Sequence, residues 1–381
     1  MSTPATAYQC RYCGEPVDHL PSGWKTGDAM YCSTHHALVG KDAYSIGVDA
    51  LDYAHWLNNL TSDELVRWPW RAVNELAGPM VPGRLTYVAA FPGGGKTTFL
   101  TQCLHYWVSA GKRVLYMPLE ANPGEVMTRL ACLKLGINAD DALGLRIRQR
   151  ADDGDVIAGQ QIAALTEEFY AMRTNRALFD ALRIEPVDAL NLTTFGKALA
   201  VARAADVDLV VVDHVDHVEG EEGRPQSDIA TSNELQSMAL RAAKALSIPM
   251  VLASQLNSGR TGGDRLAHYR PPVADWLYNK GKKEQMAANI LGLSRVMDPN
   301  AEGDAIKEVK EGRRDVGSIV LPDRMAVTGM KLRYGGALKE RSVQLSYRHG
   351  VLRDLDDGEE RAGVAERHWI PTGSPSMRRA N

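Results

Sequence analysis

The segment Ala90-Phe91-Pro92-Gly93-Gly94-Gly95-Lys96-Thr97 contains the residue types that bind nucleotide phosphates. It follows the apolar run 85–89 and precedes a pattern that places apolar residues on one helix face. In such a loop, backbone N–H groups and the helix N-terminus bind the phosphates, the lysine reaches the β/γ oxygens, and the threonine hydroxyl ligates Mg²⁺. Ala90 stands where the usual pattern has its first glycine. We predict that ATP and Mg²⁺ bind here, in contact with Pro92, Gly93, Gly94, Gly95, Lys96, Thr97 and Thr98.

Polar residues end three later apolar runs that have the length of buried strands. Glu120 follows the run 113–119, Asp213 follows 208–212, and Gln255 closes the run that begins at Met250. In open α/β sheets, ligands bind at the carboxyl ends of the strands. We therefore expect Glu120 to polarise the attacking water, Asp213 to hold Mg²⁺, and Gln255 to sense the γ-phosphate.

Two short pairs of metal-ligand residues lie near the N-terminus. Cys10 and Cys13 form the first pair, and Cys32 and His35 form the second, 18 residues further on. Four such ligands suit a closed, tetrahedral structural zinc site, and zinc binding supplies much of the folding free energy of so short a module. The adjacent His36 is an alternative fourth ligand. We predict one Zn²⁺ here, while the target of the module stays open.

Length and composition favour one large α/β domain with appendages. The chain has 381 residues, 44% of them hydrophobic, and a formal net charge of −3. Any contact with nucleic acid must therefore come from local basic loops or an assembled channel. The sequence contains no run of 18 apolar residues and no signal-peptide pattern, so we expect a cytoplasmic protein without a membrane contact. Five cysteines, three of them near the N-terminus, suit reduced thiols and a metal site.

A glycine-rich segment after the Gln255 run carries the charges that a nucleic-acid contact needs. The segment 258–270 contains Arg260, Arg265 and Arg270 together with Tyr269. Arginines and mobile backbone N–H groups can follow a phosphate chain, and a tyrosine can stack on bases. We predict that these arginines bind single-stranded DNA with little sequence preference and with clear weakening by salt. The loop 219–227 is acidic, which argues against a strong phosphate contact there.

Taken together, these motifs resemble the RecA-type ATPase domain of DnaB-like replicative helicases. The resemblance rests on the P-loop with Ala90, on Leu119-Glu120, on the run ending in Asp213, and on Ser254-Gln255-Leu256-Asn257. It extends to the segments 270–275, 284–295 and 331–336. It covers about three-quarters of the chain. Pro118, His214 and Asn289 depart from the family's serine, tyrosine and aspartate. We expect the zinc module and a connector in place of the family's helical N-terminal collar.

The resemblance implies a fold, an assembly and further site residues. The fold is an α/β RecA-like P-loop core with a mostly parallel sheet. The assembly is a homo-oligomer, expected to be a hexamer, that binds single-stranded DNA in a central channel and works with replication or loader proteins. Lys331 and Arg333 would act in trans on the neighbouring subunit's γ-phosphate. The basic cluster Lys310, Arg313 and Arg314 is the alternative source of that finger.

Two other functions fit the same motifs. The first is a recombination ATPase resembling RadA, a family that also places a zinc module before a RecA-type domain and has a motif related to 331–335. The Ser-Gln-Leu-Asn segment, the Leu-Glu strand end and the lack of room for a C-terminal protease-like domain argue against it. The second is a nucleotide-dependent switch or loader that does not translocate. Direction of movement, ring size and nucleotide preference stay open.

We divide the chain into four parts. Residues 1–39 form the zinc module, 40–75 a helical connector, 76–354 the RecA-like ATPase domain, and 355–381 a disordered tail. The connector contains Trp68-Pro69-Trp70, whose aromatic rings we expect to pack on this chain's main domain or on a neighbouring subunit.

Overall fold

The structure is a computed structural model of the 381-residue chain. It describes residues 65–185, 190–216, 228–257, 261, 266–277, 280–298, 300–301, 303–333, 342–348 and 350–355. It also describes the backbone of four two-residue strands near the N-terminus. The predicted zinc ligands Cys10, Cys13, Cys32 and His35, and most of the predicted connector, lie outside the described residues.

Strands and helices alternate along most of the described chain. The strands are β1 (Tyr8–Gln9), β2 (Pro16–Val17), β3 (Lys25–Thr26), β4 (Ala29–Met30), β5 (Leu85–Ala90), β6 (Val114–Pro118), β7 (Leu182–Ile184), β8 (Leu209–Asp213), β9 (Met250–Gln255), β10 (Ala287–Met297), β11 (Val320–Leu332), β12 (Ser342–Arg348) and β13 (Val351–Asp354). The helices are α1 (Arg71–Ala77), α2 (Lys96–Ser109), α3 (Pro123–Leu135), α4 (Ala139–Leu143), α5 (Arg146–Asp152), α6 (Val156–Thr174), α7 (Arg176–Ala181), α8 (Leu192–Ala204), α9 (Asp228–Leu246), α10 (Lys280–Met286) and α11 (Gly303–Lys310). Short 3₁₀ turns cover Ala267–Tyr269, Ala274–Trp276 and Val316–Ile319.

Nine strands form one sheet in the order β13-β12-β11-β10-β5-β9-β8-β6-β7. The six strands from β10 to β7 pair in parallel, and β11, β12 and β13 extend the sheet as an antiparallel edge. The prediction of an α/β fold with a mostly parallel sheet is thus confirmed. Because β5, β6, β8 and β9 run in parallel, their carboxyl ends meet at one edge of the sheet, where the predicted site residues lie.

The sheet is buried on both faces, as its continuous apolar strands require. In β5, Leu85, Tyr87 and Ala89 face a core formed with α8 and α9, whereas Val88 and Ala90 face a second core formed with α2, α3 and α6. All six residues of β5 are buried. The helix that follows the P-loop, α2, packs its apolar face against the sheet. This packing fixes the position of the loop that joins β5 to α2.

The two tryptophans of the predicted connector pack inside this chain. Trp68 is 1% exposed and Trp70 is 3% exposed. Their rings lie 5.9 Å and 4.7 Å from that of Phe99 on α2. The Trp70 indole Nε1 also donates to the Leu352 carbonyl at 3.0 Å. The sequence leaves two surfaces open for these rings, the main domain of this chain and a neighbouring subunit. In the structure the rings pack on the main domain of this chain.

Candidate nucleotide site and its surroundings

The P-loop adopts a compact turn that leaves no room for a side chain at Gly94. Gly93 and Gly95 have φ values of 70° and 87°, a left-handed conformation that glycine adopts readily. The Gly94 N–H donates to the Phe91 carbonyl at 2.9 Å. A Cβ on Gly94 would lie 2.8 Å from that same oxygen. The loop thus turns tightly before Lys96, the first residue of α2.

The predicted sensor strand lies directly beside the P-loop strand. Gln255 pairs with Ala90, and the Leu256 N–H donates to the Ala90 carbonyl at 2.9 Å. Ala90 is completely buried, because β5 lies between β9 and β10 in the sheet. The structure therefore brings the start of the P-loop and Gln255 to the same point of the sheet edge.

Asp213 is a buried carboxylate that faces the first turn of α2. It is 4% exposed, and its Oδ2 accepts from the Tyr116 hydroxyl at 3.0 Å and from the Thr97 hydroxyl at 3.3 Å. Burial raises the pKa of Asp213, while the Tyr116 hydrogen bond and the charge of Lys96 oppose that rise. Tyr116 is not predicted as a site residue from the sequence, because nothing in its local pattern marks it. Tyr116 lies on β6, the strand adjacent to β8, which ends at Asp213.

The donor set around Asp213 fits a magnesium ion. The Asp213 Oδ1 is buried and has no hydrogen-bond partner among the described residues. A carboxylate oxygen and a threonine hydroxyl are hard oxygen ligands of the kind that Mg²⁺ selects, with water and phosphate completing the shell. Thr97 and Asp213, the two predicted magnesium ligands, are therefore neighbours in space. Among the described residues, no cluster of three His, Cys, Asp or Glu side chains suits another metal ion.

Glu120 lies at the mouth of the site and is held by His214. Its side chain is 56% exposed, and Oε1 lies 2.8 Å from Nε2 of the completely buried His214. The His214 Nδ1 accepts from the Asp216 N–H at 3.3 Å. The proton of a neutral imidazole is therefore assigned to Nε2, which donates to Glu120. His214, a departure from the family pattern, is thus a residue that orients the predicted water-activating carboxylate.

A buried ion pair between Asp216 and Lys283 lies next to Gln255, and it is not predicted from the sequence. Asp216 accepts through Oδ2 from the Gln255 backbone N–H and through Oδ1 from the Lys283 ammonium group. Lys283 is completely buried on α10 and also donates to the Ser254 hydroxyl at 2.7 Å. Burial lowers the pKa of Lys283, and the nearby Asp216 opposes that effect.

The predicted trans-acting residues lie away from this chain's own P-loop. Lys331 pairs with Ile290, which pairs with Tyr87, three residues before Ala90 on β5. With about 3.3 Å per residue along a strand and about 4.8 Å between strands, the main chain of Lys331 is about 14 Å from that of Ala90. The Lys331 ammonium group donates to the Glu284 carbonyl of its own chain, and burial lowers its pKa. Lys331 therefore contacts Glu284 and not the P-loop of its own chain.

Arg333 is exposed, and its backbone is fixed by Asn289. The Arg333 N–H donates to the Ala288 carbonyl at 3.0 Å and to the Asn289 Oδ1 at 3.3 Å. Asn289 is 3% exposed, and its Nδ2 donates to the Ala77 carbonyl at 3.0 Å. An aspartate, which the family has here, could not make that donation when ionised. This second departure from the family pattern therefore joins α1 to the segment that carries Arg333.

The alternative finger cluster lies elsewhere, on α11 and the turn after it. Lys310, Arg313 and Arg314 are exposed. Arg313 is paired with Glu311, and Arg314 Nη1 lies 3.8 Å from Glu308. The cluster follows the carboxyl end of β10, whereas Lys331 and Arg333 lie near that strand's beginning.

Of the predicted DNA-binding arginines, Arg270 is described and is exposed, while Arg260 and Arg265 lie outside the described residues. Just before Arg270, the ring of His268 stacks on Phe91 of the P-loop, with centroids 4.2 Å apart. Leu266 is buried with Ala305 and Val309 of α11. The end of the predicted DNA loop is therefore anchored on the nucleotide cradle.

A parallel sheet with a P-loop, a buried aspartate beside the P-loop threonine and a glutamine on the adjacent strand defines a RecA-like nucleotide-binding ATPase domain. The family model for the DnaB-like helicase C-terminal domain matches residues 69–337. The chain belongs to this family of DnaB-like helicase domains. Among the described residues, no helix is long and apolar enough to cross a membrane.

Solved structures share the fold at low sequence identity. A DnaB-like replicative helicase, described with its interactions with primase, matches with a TM-score of 0.59 and 16% identity, over 83% of this chain and 69% of that one. The ATPase domain of G40P matches with the same TM-score and identity, over 82% of this chain and 100% of that one. At this identity the likeness concerns the fold alone.

Curated relatives that match the chain are described as DNA repair proteins. The DNA repair protein RadA of two Mycobacterium tuberculosis strains is 27% identical over 237 residues, which is 56% of this chain and 45% of RadA. RadA of Mycolicibacterium smegmatis is 39% identical over 54 residues, 14% of this chain and 12% of that protein. The chain thus spans about half the length of the M. tuberculosis relatives.

Proposed function

We propose that this protein is an ATP-driven, ring-forming DNA helicase or translocase that binds single-stranded DNA in its central channel. The observation that carries the proposal is the convergence of Lys96, Thr97, Asp213, Glu120 and Gln255 on one edge of the sheet. When bound, Mg²⁺ supplies charge stabilisation at the transferred phosphoryl group. Lys96 binds the phosphates, Glu120 polarises the attacking water, and Gln255 reports the γ-phosphate.

The position of Lys331 and Arg333 supports a multi-subunit site. Both residues lie away from the P-loop of their own chain, beside the beginning of β10, and Arg333 is exposed. A cation that arrives from a neighbour stabilises transition-state charge and couples hydrolysis to the arrangement of subunits. We propose that Lys331 and Arg333 serve the neighbouring subunit of a hexamer, with Lys331 leaving its contact to Glu284 when the neighbour's nucleotide is present.

The DNA contact is proposed for the segment that ends at Arg270. With a net charge of −3, the chain depends on local arginines, so Arg260, Arg265 and Arg270 from each subunit would line the channel. The stacking of His268 on Phe91 gives this segment a direct contact with the nucleotide cradle. Replication or loader proteins are candidate partners, and the cytoplasm is the proposed location.

The N-terminal segment is proposed to bind one Zn²⁺ through Cys10, Cys13, Cys32 and His35, as a module separate from the ATPase domain. The boundaries at 39, 75 and 354 remain part of the same proposal. Zinc measured by atomic absorption should approach one ion per chain in the wild type and fall in a Cys13→Ser variant. An unchanged content would exclude this ligand set.

A RadA-like recombination ATPase is the second candidate, and the similarity to mycobacterial RadA favours it. The two functions differ in what the ATPase does with a duplex. A replicative-type motor unwinds a forked duplex processively, whereas a recombination ATPase acts on joint molecules. Unwinding of forked substrates with opposite tail polarities, compared with branch migration of a joint molecule, separates the two.

The first experiment measures ATP turnover with and without single-stranded DNA. Strong stimulation that is abolished in Lys96→Ala supports a DNA-coupled motor, and stimulation that weakens with salt supports the arginine contacts. Hydrolysis that does not respond to DNA would contradict the motor and favour a nucleotide-dependent switch or loader.

Mixed assemblies test the contact between subunits. Lys96→Ala has a defective phosphate site and an intact Arg333, whereas Arg333→Ala has the reverse. If Arg333 acts in trans, mixing the two inactive proteins restores part of the turnover at the mixed interfaces. A mixture as inactive as its components would overturn the in-trans role. The same mixing with Arg313→Ala or Arg314→Ala tests the alternative cluster.

A further inference from the structure

The buried pair of Asp216 and Lys283 lies directly behind the residue proposed to sense the γ-phosphate. The paired register of β8 and β9 ends at Val212 and Leu252. Beyond that point the Asp216 carboxylate, rather than a strand, accepts the N–H of Gln255. Lys283 in turn holds that carboxylate and the hydroxyl of Ser254, the residue before Gln255.

Stability alone does not explain such a pair. Replacing a buried ion pair by apolar side chains of the same volume is often neutral or stabilising, because desolvation of two charges offsets their attraction. What the pair does provide is direction. A carboxylate held on one oxygen by an ammonium group presents its other oxygen at one angle, so the main chain at Gln255 is fixed next to Ala90 and the P-loop.

The same short helix also contacts the proposed trans-acting lysine. Lys283 and Glu284 are successive residues of α10, and the Glu284 carbonyl accepts from the Lys331 ammonium group. Because Lys283 and Glu284 belong to one seven-residue helix, a shift of that helix would alter both contacts together. Gln255, in the phosphate site of one subunit, is thereby connected to Lys331, which is offered to the next subunit.

We propose that Asp216 and Lys283 are positioning residues that fix Gln255 at the γ-phosphate and, through α10, connect it to Lys331. The inference rests on the proposed role of Gln255 and extends it. It requires a fixed main chain at Gln255, since a polar group displaced by a fraction of an ångström loses its contact.

The test compares the affinities of AMP-PNP and ADP, each measured with Mg²⁺ by isothermal titration calorimetry on the full chain. Their ratio does not depend on the fraction of folded protein, so a merely structural defect leaves it unchanged. Gln255→Ala should lower the preference for AMP-PNP by about three- to tenfold, as for the loss of one hydrogen bond. Lys283→Met should reproduce most of that loss. Lys282→Met, the same change at the adjacent half-buried position, should leave the ratio at its wild-type value.

The outcomes separate the inference from the proposed function. A ratio unchanged in Gln255→Ala would remove the sensor role itself. A ratio lowered in Gln255→Ala but unchanged in Lys283→Met would overturn the positioning role alone. Should Lys283→Met fail to fold, the double variant Asp216→Leu/Lys283→Met, which buries no unpaired charge and removes the acceptor of the Gln255 N–H, is measured in the same way with the same expectation.

The connection to Lys331 is tested by mixing subunits. In the mixing experiment, the Lys96→Ala protein is the donor, because it supplies the intact Arg333 and Lys331. After it has restored turnover to Arg333→Ala, the experiment is repeated with Lys96→Ala/Lys283→Met as the donor. We expect the recovered turnover to fall several-fold, whereas a donor with Lys282→Met recovers it fully. Equal recovery by both donors would refute the connection through α10.

Discussion

The hydrogen bond from Tyr116 to Asp213 should control the pH at which the proposed ATP turnover is lost. Asp213 is buried, which raises its pKa, and the Tyr116 hydroxyl, at 3.0 Å from Oδ2, opposes the rise. In Tyr116→Phe that opposition is lost without a change in shape. A hydrogen bond to a charged group contributes about 1.5–3 kcal/mol, so the ratio of carboxylate to acid falls about tenfold to hundredfold at a given pH.

In the proposed role Asp213 would bind Mg²⁺ as its carboxylate, so this variant should lose ATP turnover at low pH and regain it at higher pH. The sign follows from the direction of the change: removing a donor that favours the charged form raises the pKa of Asp213 further. The acidic limb of kcat/KM for ATP, which reports the free enzyme, should move to higher pH by about 1 to 2 pH units. Since Thr97 shares the same oxygen at 3.3 Å, we expect the lower end of that range.

The control is Tyr87→Phe, which removes a buried hydroxyl from β5, a strand separated from β6 by β9 and β8 in the sheet. The Tyr87 hydroxyl donates to the Gln236 Oε1 at 3.1 Å and does not contact Asp213. Its loss should lower the midpoint of thermal unfolding while leaving the acidic limb in place. A Tyr116→Phe enzyme with a uniformly lower rate and an unmoved limb would refute the reasoning.

Three further outcomes follow from single contacts. Gly94→Ala places a Cβ 2.8 Å from the Phe91 carbonyl oxygen, so ATP affinity in calorimetry should fall at least about tenfold; Gly159→Ala, in open space on α6, should leave it unchanged. Asn289→Asp removes the bond to the Ala77 carbonyl and should cost about 1–3 kcal/mol of stability. That cost should grow as pH rises, because burial raises the pKa of the new carboxyl, and equal losses at pH about 5 and about 8 would contradict this. Burial lowers the pKa of His105 to about 4. The free energy of unfolding that depends on the neutral ring is therefore lost as pH falls from 6.5 towards 4, by up to about 3 kcal/mol. Urea unfolding of His105→Gln should show a flatter pH dependence over that window.

Two departures from the family pattern have their own partners in this structure. From the sequence, His214 and Asn289 counted as gaps in the resemblance. In the structure, His214 donates to Glu120, and Asn289 connects Ala77 to the backbone of Arg333. Both substitutions are therefore matched by partners elsewhere in this chain, which a comparison of motifs does not reveal.

The sequence by itself determined the elements of the phosphate site. A strand, a glycine-rich turn and a helix beginning at Lys96 are local patterns, and the polar ends of the runs at Glu120, Asp213 and Gln255 are visible because apolar strands end abruptly. Their parallel order then required that they meet at one edge of the sheet. The fold class followed from the same alternation of runs.

Only the tertiary structure decided which side chains hold these residues in place. Asp216 and Lys283 are separated by 67 residues, and Tyr116 and Asp213 by 97. They meet because β6, β8 and β9 are neighbours in one particular register, and because Lys283 of α10 reaches Asp216 and Ser254. Local spacing fixes which residue types face the core, but strand order and register select their partners, because those depend on how all the helices and strands pack together.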